Sequence, residues 1–162
     1  MLHAYRCLWI ATLFSAMACG ASANGTASPD HDTDSVLIVN SGSTNTAGFR
    51  IVVERSGQAR YTATRRRFSA QDHEAPSTVQ KQVPHALLQR LYSDLDAAKP
   101  LSALPEPRCM KPASFGFILT VEFNGEKTPD LSCGGDDNTP MQALIRDVKE
   151  ISALFGGAES RS

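Results

Sequence analysis

The side chains able to do chemistry are few and widely spaced. Cysteines stand at positions 7, 19, 109 and 133. Cys109 and Cys133 lack the close C-x-x-C spacing of a redox pair. No further Cys or His stands at ligand spacing to complete a metal centre. The pair is therefore expected to form a structural disulfide. It would close a loop of about 25 residues, a constraint worth on the order of 3 kcal/mol in the chain-entropy account. Beyond the N-terminal segment the histidines are His31, His73 and His85. None has a partner at i+4 and none belongs to an H-E-x-x-H motif, so all three read as solvated side chains. Gly134-Gly135-Asp136-Asp137-Asn138 clusters oxygen ligands of the kind calcium prefers. It lacks the alternating Asp spacing and the closing Glu of an EF-hand, and reads as a turn before a helix N-terminus. Arg65-Arg66-Arg67 reads as a solvated strand end that discourages edge pairing. Lys111-Pro112-Ala113-Ser114 reverses the order of an S-x-x-K motif, and no G-x-S-x-G elbow or Gly-rich phosphate loop is present. No cofactor, metal or catalytic residue is expected from these motifs. Because triads form in space, a small hydrolase gathering Asp136, Asp137, His85 or Arg108 remains the alternative.

The first 23 residues read as a secretory signal. Arg6 and His3 form the basic start, Cys7 to Ala18 the apolar run, and Ala21-Ser22-Ala23 an A-x-A cleavage site. The run is about 12 residues, where a membrane span needs roughly 20. The mature chain is expected to begin at Asn24. Cleavage removes Arg6, Cys7 and Cys19, and moves the net charge from −1 to −2. Cys109 and Cys133 are then the cysteines left in an oxidising compartment. A second route stays open: Ala16-Met17-Ala18-Cys19 resembles a lipobox, which would make Cys19 a lipid anchor.

The elements that must position these groups follow from length and patterning. A chain of 162 residues allows one domain of ordinary size. Its 16 Lys plus Arg against 17 Asp plus Glu give no electrostatic argument for nucleic acid or an anionic membrane. Residues 24–35 are polar and read as a disordered leader. The domain is expected over 36–157, with a short disordered tail at 158–162. Val36 to Val39 reads as an edge or first strand. Two hairpins follow, Phe49–Glu54 with Gln58–Ala63, and Phe115–Glu122 with Glu126–Cys133. A three-residue loop in the first pairs Val53 with Ala59, Ile51 with Tyr61 and Phe49 with Ala63, which keeps one face apolar. The same rule in the second pairs Leu119 with Pro129, Phe117 with Leu131 and Phe115 with Cys133. Both loops are then expected to close on a left-handed glycine, Gly57 and Gly125.

Each hairpin is expected to lead into an amphipathic helix. The first spans Pro84 to Ala98, with Leu87, Leu88, Leu91, Tyr92 and Leu95 on one stripe and Pro100 beyond its end. The second starts at a cap on Asn138 or Thr139, has Pro140 in its first turn, and stops at Gly156-Gly157. Its apolar face is Met141, Leu144, Ile145, Val148, Ile151, Leu154 and Phe155. Arg65 to Gln82 is polar and irregular, with a short strand expected at Thr78 to Val83. The fold class is α+β: an antiparallel sheet with helices on one face.

The run Phe49 to Tyr61, the helix around Leu88 to Leu95, and Leu119-Thr120-Val121-Glu122-Phe123-Asn124-Gly125 carry a resemblance. Together with the signal, they resemble a family of small secreted bacterial domains of unknown function. The resemblance covers most of Val36 to Phe155 and rests on turn and packing patterns. Members often carry C-x-G-x-C-P before the first hairpin. This chain has Ser43-Thr44-Asn45-Thr46-Ala47-Gly48 there, so no role of that pair is carried over. The resemblance implies the fold and an exported address, and supplies no substrate. The expected function is an exported, non-enzymatic domain that binds a protein or an envelope component.

Overall fold

A computed structural model describes residues 34–64, 77–106, 108–112, 114–134 and 139–156. The signal-like segment with Cys19, and His31, Arg65–Arg67, His73, Asp136, Asp137 and the tail, lie outside the described residues.

Six strands form one antiparallel sheet: β1 Val36–Asn40, β2 Phe49–Val53, β3 Gln58–Ala63, β4 Thr78–Gln82, β5 Leu119–Phe123 and β6 Glu126–Lys127. Their order across the sheet is β4-β3-β2-β1-β5-β6. Two helices, α1 His85–Ala97 and α2 Pro140–Leu154, complete an α+β fold. Short 3₁₀ turns at Leu101–Ala103 and Leu131–Cys133 follow α1 and precede α2. β1 is first in the chain but sits in the middle of the sheet, between β2 and β5. Its composition explains the place: Val36, Leu37 and Ile38 are all buried, so both faces of the strand are covered.

The β2–β3 hairpin has the expected register, with Val53 opposite Ala59, Ile51 opposite Tyr61 and Phe49 opposite Ala63. Glu54 N–H donates to Gln58 C=O, and Gly57 closes the three-residue loop at φ +84°. Alternation then sends Phe49, Ile51, Val53 and Ala59 into the core and leaves Arg50, Gln58 and Arg60 exposed.

The second hairpin departs from expectation. Glu122 lies opposite Lys127 and Phe123 opposite Glu126. The loop therefore has two residues, Asn124 at φ 52° and Gly125 at φ 75°, the signs a type I′ turn requires. The expected pairs of Leu119 with Pro129, Phe117 with Leu131 and Phe115 with Cys133 do not form. Phe115 and Phe117 precede β5, and Leu131–Cys133 is a 3₁₀ turn. The one-residue shift puts Glu126 and Thr128 on the core side, and each finds a backbone partner there. Glu126 Oε2 accepts from Leu101 N–H at 2.6 Å, and Thr128 Oγ1 accepts from Val121 N–H at 3.0 Å. Polar residues on an inner face are stable once they satisfy buried N–H groups.

The core lies between the sheet and the helices. Leu91 and Leu95 of α1, and Leu144, Val148 and Ile151 of α2, are fully buried against Val36, Ile38, Ile51 and Val121. Thr139 Oγ1 caps α2 by accepting from Gln142 N–H, with Pro140 at its first position. The α2 face contains one polar residue absent from the expected apolar stripe, Asp147, which is fully buried.

Candidate functional site

The segment before β5 is fixed by a dense set of bonds. Cys109 and Cys133 are joined, with Cα atoms 5.5 Å apart. Lys111 Nζ pairs with Asp130 Oδ2 and donates to Phe117 C=O at 2.6 Å. Asp130 Oδ1 accepts from Leu119 N–H and Ser132 N–H, each at 3.0 Å. Ser132 Oγ donates to Phe117 C=O, and Ile118 exchanges bonds with Ser41. Gly116 turns where a Cβ would meet Lys111 Cβ at 2.7 Å.

Burial pulls the Asp130 carboxyl upward. The Lys111 ammonium and the Leu119 and Ser132 N–H groups outweigh it and hold the group below the usual Asp range.

A pinned backbone here displays apolar side chains to solvent. Phe115 is 61% exposed, Phe117 36% and Ile118 52%. Phe115 and Phe117 wall a groove of about 660 Å³. Its floor includes Phe49, Leu119 and Leu131. The second wall is the C-terminal half of α2 at Val148, Ser152 and Ala153, and the β1–β2 connection closes one end at Gly42, Thr46 and Ala47. The volume lies within the ~300–1,000 Å³ usual for ligand sites. Asn40, Thr46, Ser132 and Ser152 supply hydroxyl and amide groups, and Lys149 stands beside Glu150.

A smaller depression beside the disulfide is lined by Glu106, Arg108, Met110, Lys111 and Asp130. Arg108 thus borders the disulfide, whereas His85 is exposed at the start of α1 and lines neither depression. Among the described residues no group of three or more His, Cys, Asp or Glu could hold a metal.

A second polar cluster joins the helices. Arg90 Nε donates to Asp147 Oδ1 at 2.6 Å, and its Nη2 to Glu150 Oε2 at 2.5 Å. Arg146 reaches Asp94 at 3.2 Å. Asp147 Oδ2 is buried with no hydrogen-bond partner. Burial raises the Asp147 carboxyl above its ordinary value, and Arg90 offsets that only in part.

Neither the groove nor this cluster was evident from sequence. Phe115 and Phe117 alternate like strand residues, so the pattern assigned them to the hairpin core. The signal pointing elsewhere is Pro112 and Gly116 around them, both turn formers.

No protein-family model matches this chain, and a comparison with curated proteins found no match. Among the described residues no helix is long and apolar enough to cross a membrane.

Proposed function

We propose that this chain is an exported, non-enzymatic binding domain whose groove receives an apolar, aromatic-containing segment of another exported or envelope protein. The observation that carries the reading is the display of Phe115 and Phe117 on a backbone held by Lys111, Asp130 and Ser132. Exposed aromatics on a fixed backbone lose little entropy on binding. They are also the residue type that anchors interfaces. Hydroxyl and amide groups on the rim suit the main-chain groups of a peptide.

Export rests on the signal-like Met1–Ala23 segment, and the disulfide suits an oxidising compartment. The organisation that fits this role is two hairpins, each leading to its helix, acting as a rigid scaffold behind the groove. It is also the organisation of the small secreted domains that the sequence resembles.

The groove is tested with the purified mature protein and the apolar dye anilinonaphthalene sulfonate. One saturable site is expected, with affinity falling at least ~10-fold in Phe117→Asp, a change of about 1.4 kcal/mol. Absence of saturable binding, or the same affinity in the variant with its fold intact by circular dichroism, would overturn the groove assignment.

A further inference from the structure

The two ends of the sheet are built differently. The β6 end is short: two paired residues, after which the Thr128 side chain takes the Val121 N–H. The β4 end is a full five-residue strand, Thr78–Gln82, every residue of which is exposed. Ala63 N–H donates to Ser77 C=O, and Val83 N–H to Gly57 C=O. In an antiparallel ladder this phase commits the odd-numbered residues to β3. Thr78, Gln80 and Gln82 therefore turn their N–H and C=O groups away from the sheet.

Natural edges are usually blunted by proline, a bulge or an outreaching lysine. Thr78–Gln82 has no proline, and it pairs with β3 residue for residue without a bulge. Its one charge does not guard the edge. Lys81 Nζ folds back over the helix face, donating to Leu154 C=O at the end of α2 at 2.6 Å, with the Phe155 ring 6.0 Å away. Val79, on the same face, is left 42% exposed.

We propose that β4 pairs antiparallel with β4 of a second copy of this chain, about a two-fold axis through Gln80, joining two sheets into one. The strand is self-complementary in that arrangement. Thr78 lies opposite Gln82 of the second copy, and Val79 opposite Lys81. The lysine methylenes cover the exposed valine while the ammonium stays at the α2 terminus. The three outward residues of each strand supply about six main-chain hydrogen bonds. Parallel pairing would set Lys81 directly beside Lys81, a like-charge contact that disfavours it. The β4 edge shares no residue with the groove, so the two proposals fail independently.

The test is sedimentation velocity of the mature protein across a micromolar concentration series. A reversible monomer–dimer equilibrium is expected. Gln80→Pro removes the central outward N–H, and Val79→Lys gathers four cations at the axis. Each should weaken dimerisation at least ~10-fold. Gln80→Cys should give a dimer linked by the short thiol crosslinker dibromobimane, because the paired Cα atoms lie about 5.5 Å apart with both thiols on one face. Should Gln80→Pro fail to fold, Val79→Lys and Gln80→Cys decide. A wild-type chain that stays monomeric throughout overturns the proposal, including the case in which β4 takes a strand of another protein. A dimer undiminished in Val79→Lys, or no crosslink through Gln80→Cys, overturns it as well.

Discussion

Two aspartates show how one residue type serves opposite ends. Asp130 is half-buried and satisfies two N–H groups and a lysine, so its folded-state pKa lies below the ordinary value of about 4. A depressed carboxyl contributes stability that is present above its unfolded pKa and lost as pH falls through the folded one. Asp147 is buried with one oxygen unpaired, and its pKa is raised. Its effect has the other sign: the folded state holds the proton more tightly, so stability declines as pH rises from about 4 toward the raised value. Urea denaturation against pH separates them. Asp130→Asn should cost about 1–3 kcal/mol at neutral pH, from lost charge-assisted bonds, with the deficit shrinking below pH ~4. Asp147→Asn should gain on the wild type as pH rises through the same region. Parallel profiles for the two variants would contradict these assignments.

At the scale of elements, the two turns divide the legible from the illegible. Gly57 closes a three-residue loop and Gly125 a two-residue one, both at positive φ. A Cβ at Gly57 would meet Gln82 Nε2 at 2.3 Å and Leu88 Cδ2 at 3.3 Å, disturbing the Gln82 bond to Ser56 C=O. A Cβ at Gly125 meets nothing within 4 Å. Gly125→Ala should therefore cost only the backbone term of about 1–2 kcal/mol. Gly57→Ala should cost about 0.5–1 kcal/mol more, because the exposed Gln82 side chain swings aside and gives up its bond to Ser56 C=O. Equal losses in urea midpoints would contradict this difference.

The face pattern alone placed the first register, because Phe49, Ile51, Val53 and Ala59 all go into the core. It misplaced the second because Glu126 and Thr128 enter the core side to serve backbone N–H groups. Polarity in a sequence records which residues could face water, and does not show which will find a buried donor. The helices were legible for the opposite reason. Leu87, Leu88, Leu91, Tyr92 and Leu95 of α1, and Thr139 with Pro140 at the start of α2, carry local signals that no tertiary contact overrides. The groove was not legible, since it exists only where Phe115 and Phe117, the β1–β2 connection and α2 meet.

For the molecule as a whole, the sheet and its helices carry the groove and the open β4 edge at separate places. The disulfide and the Lys111–Asp130 pair fix the wall that carries Phe115 and Phe117. Arg90, Asp147 and Glu150 tie α1 to the helix that forms the opposite wall. The groove is thus held from both sides. The β4 edge lies at the far end of the strand order from β5 and β6, so pairing there would leave the groove open.

The most direct measurement is site-specific photocrosslinking in the native host, with benzoylphenylalanine at Phe115 and, separately, at the exposed Arg50 of β2, away from both the groove and the β4 edge. The account predicts a discrete adduct with an exported or envelope protein from position 115 alone. That adduct should map to an aromatic-containing segment of the partner and disappear when Phe117→Asp is added. Equal crosslinking from both positions, no adduct from position 115, or an adduct unchanged by Phe117→Asp would contradict it.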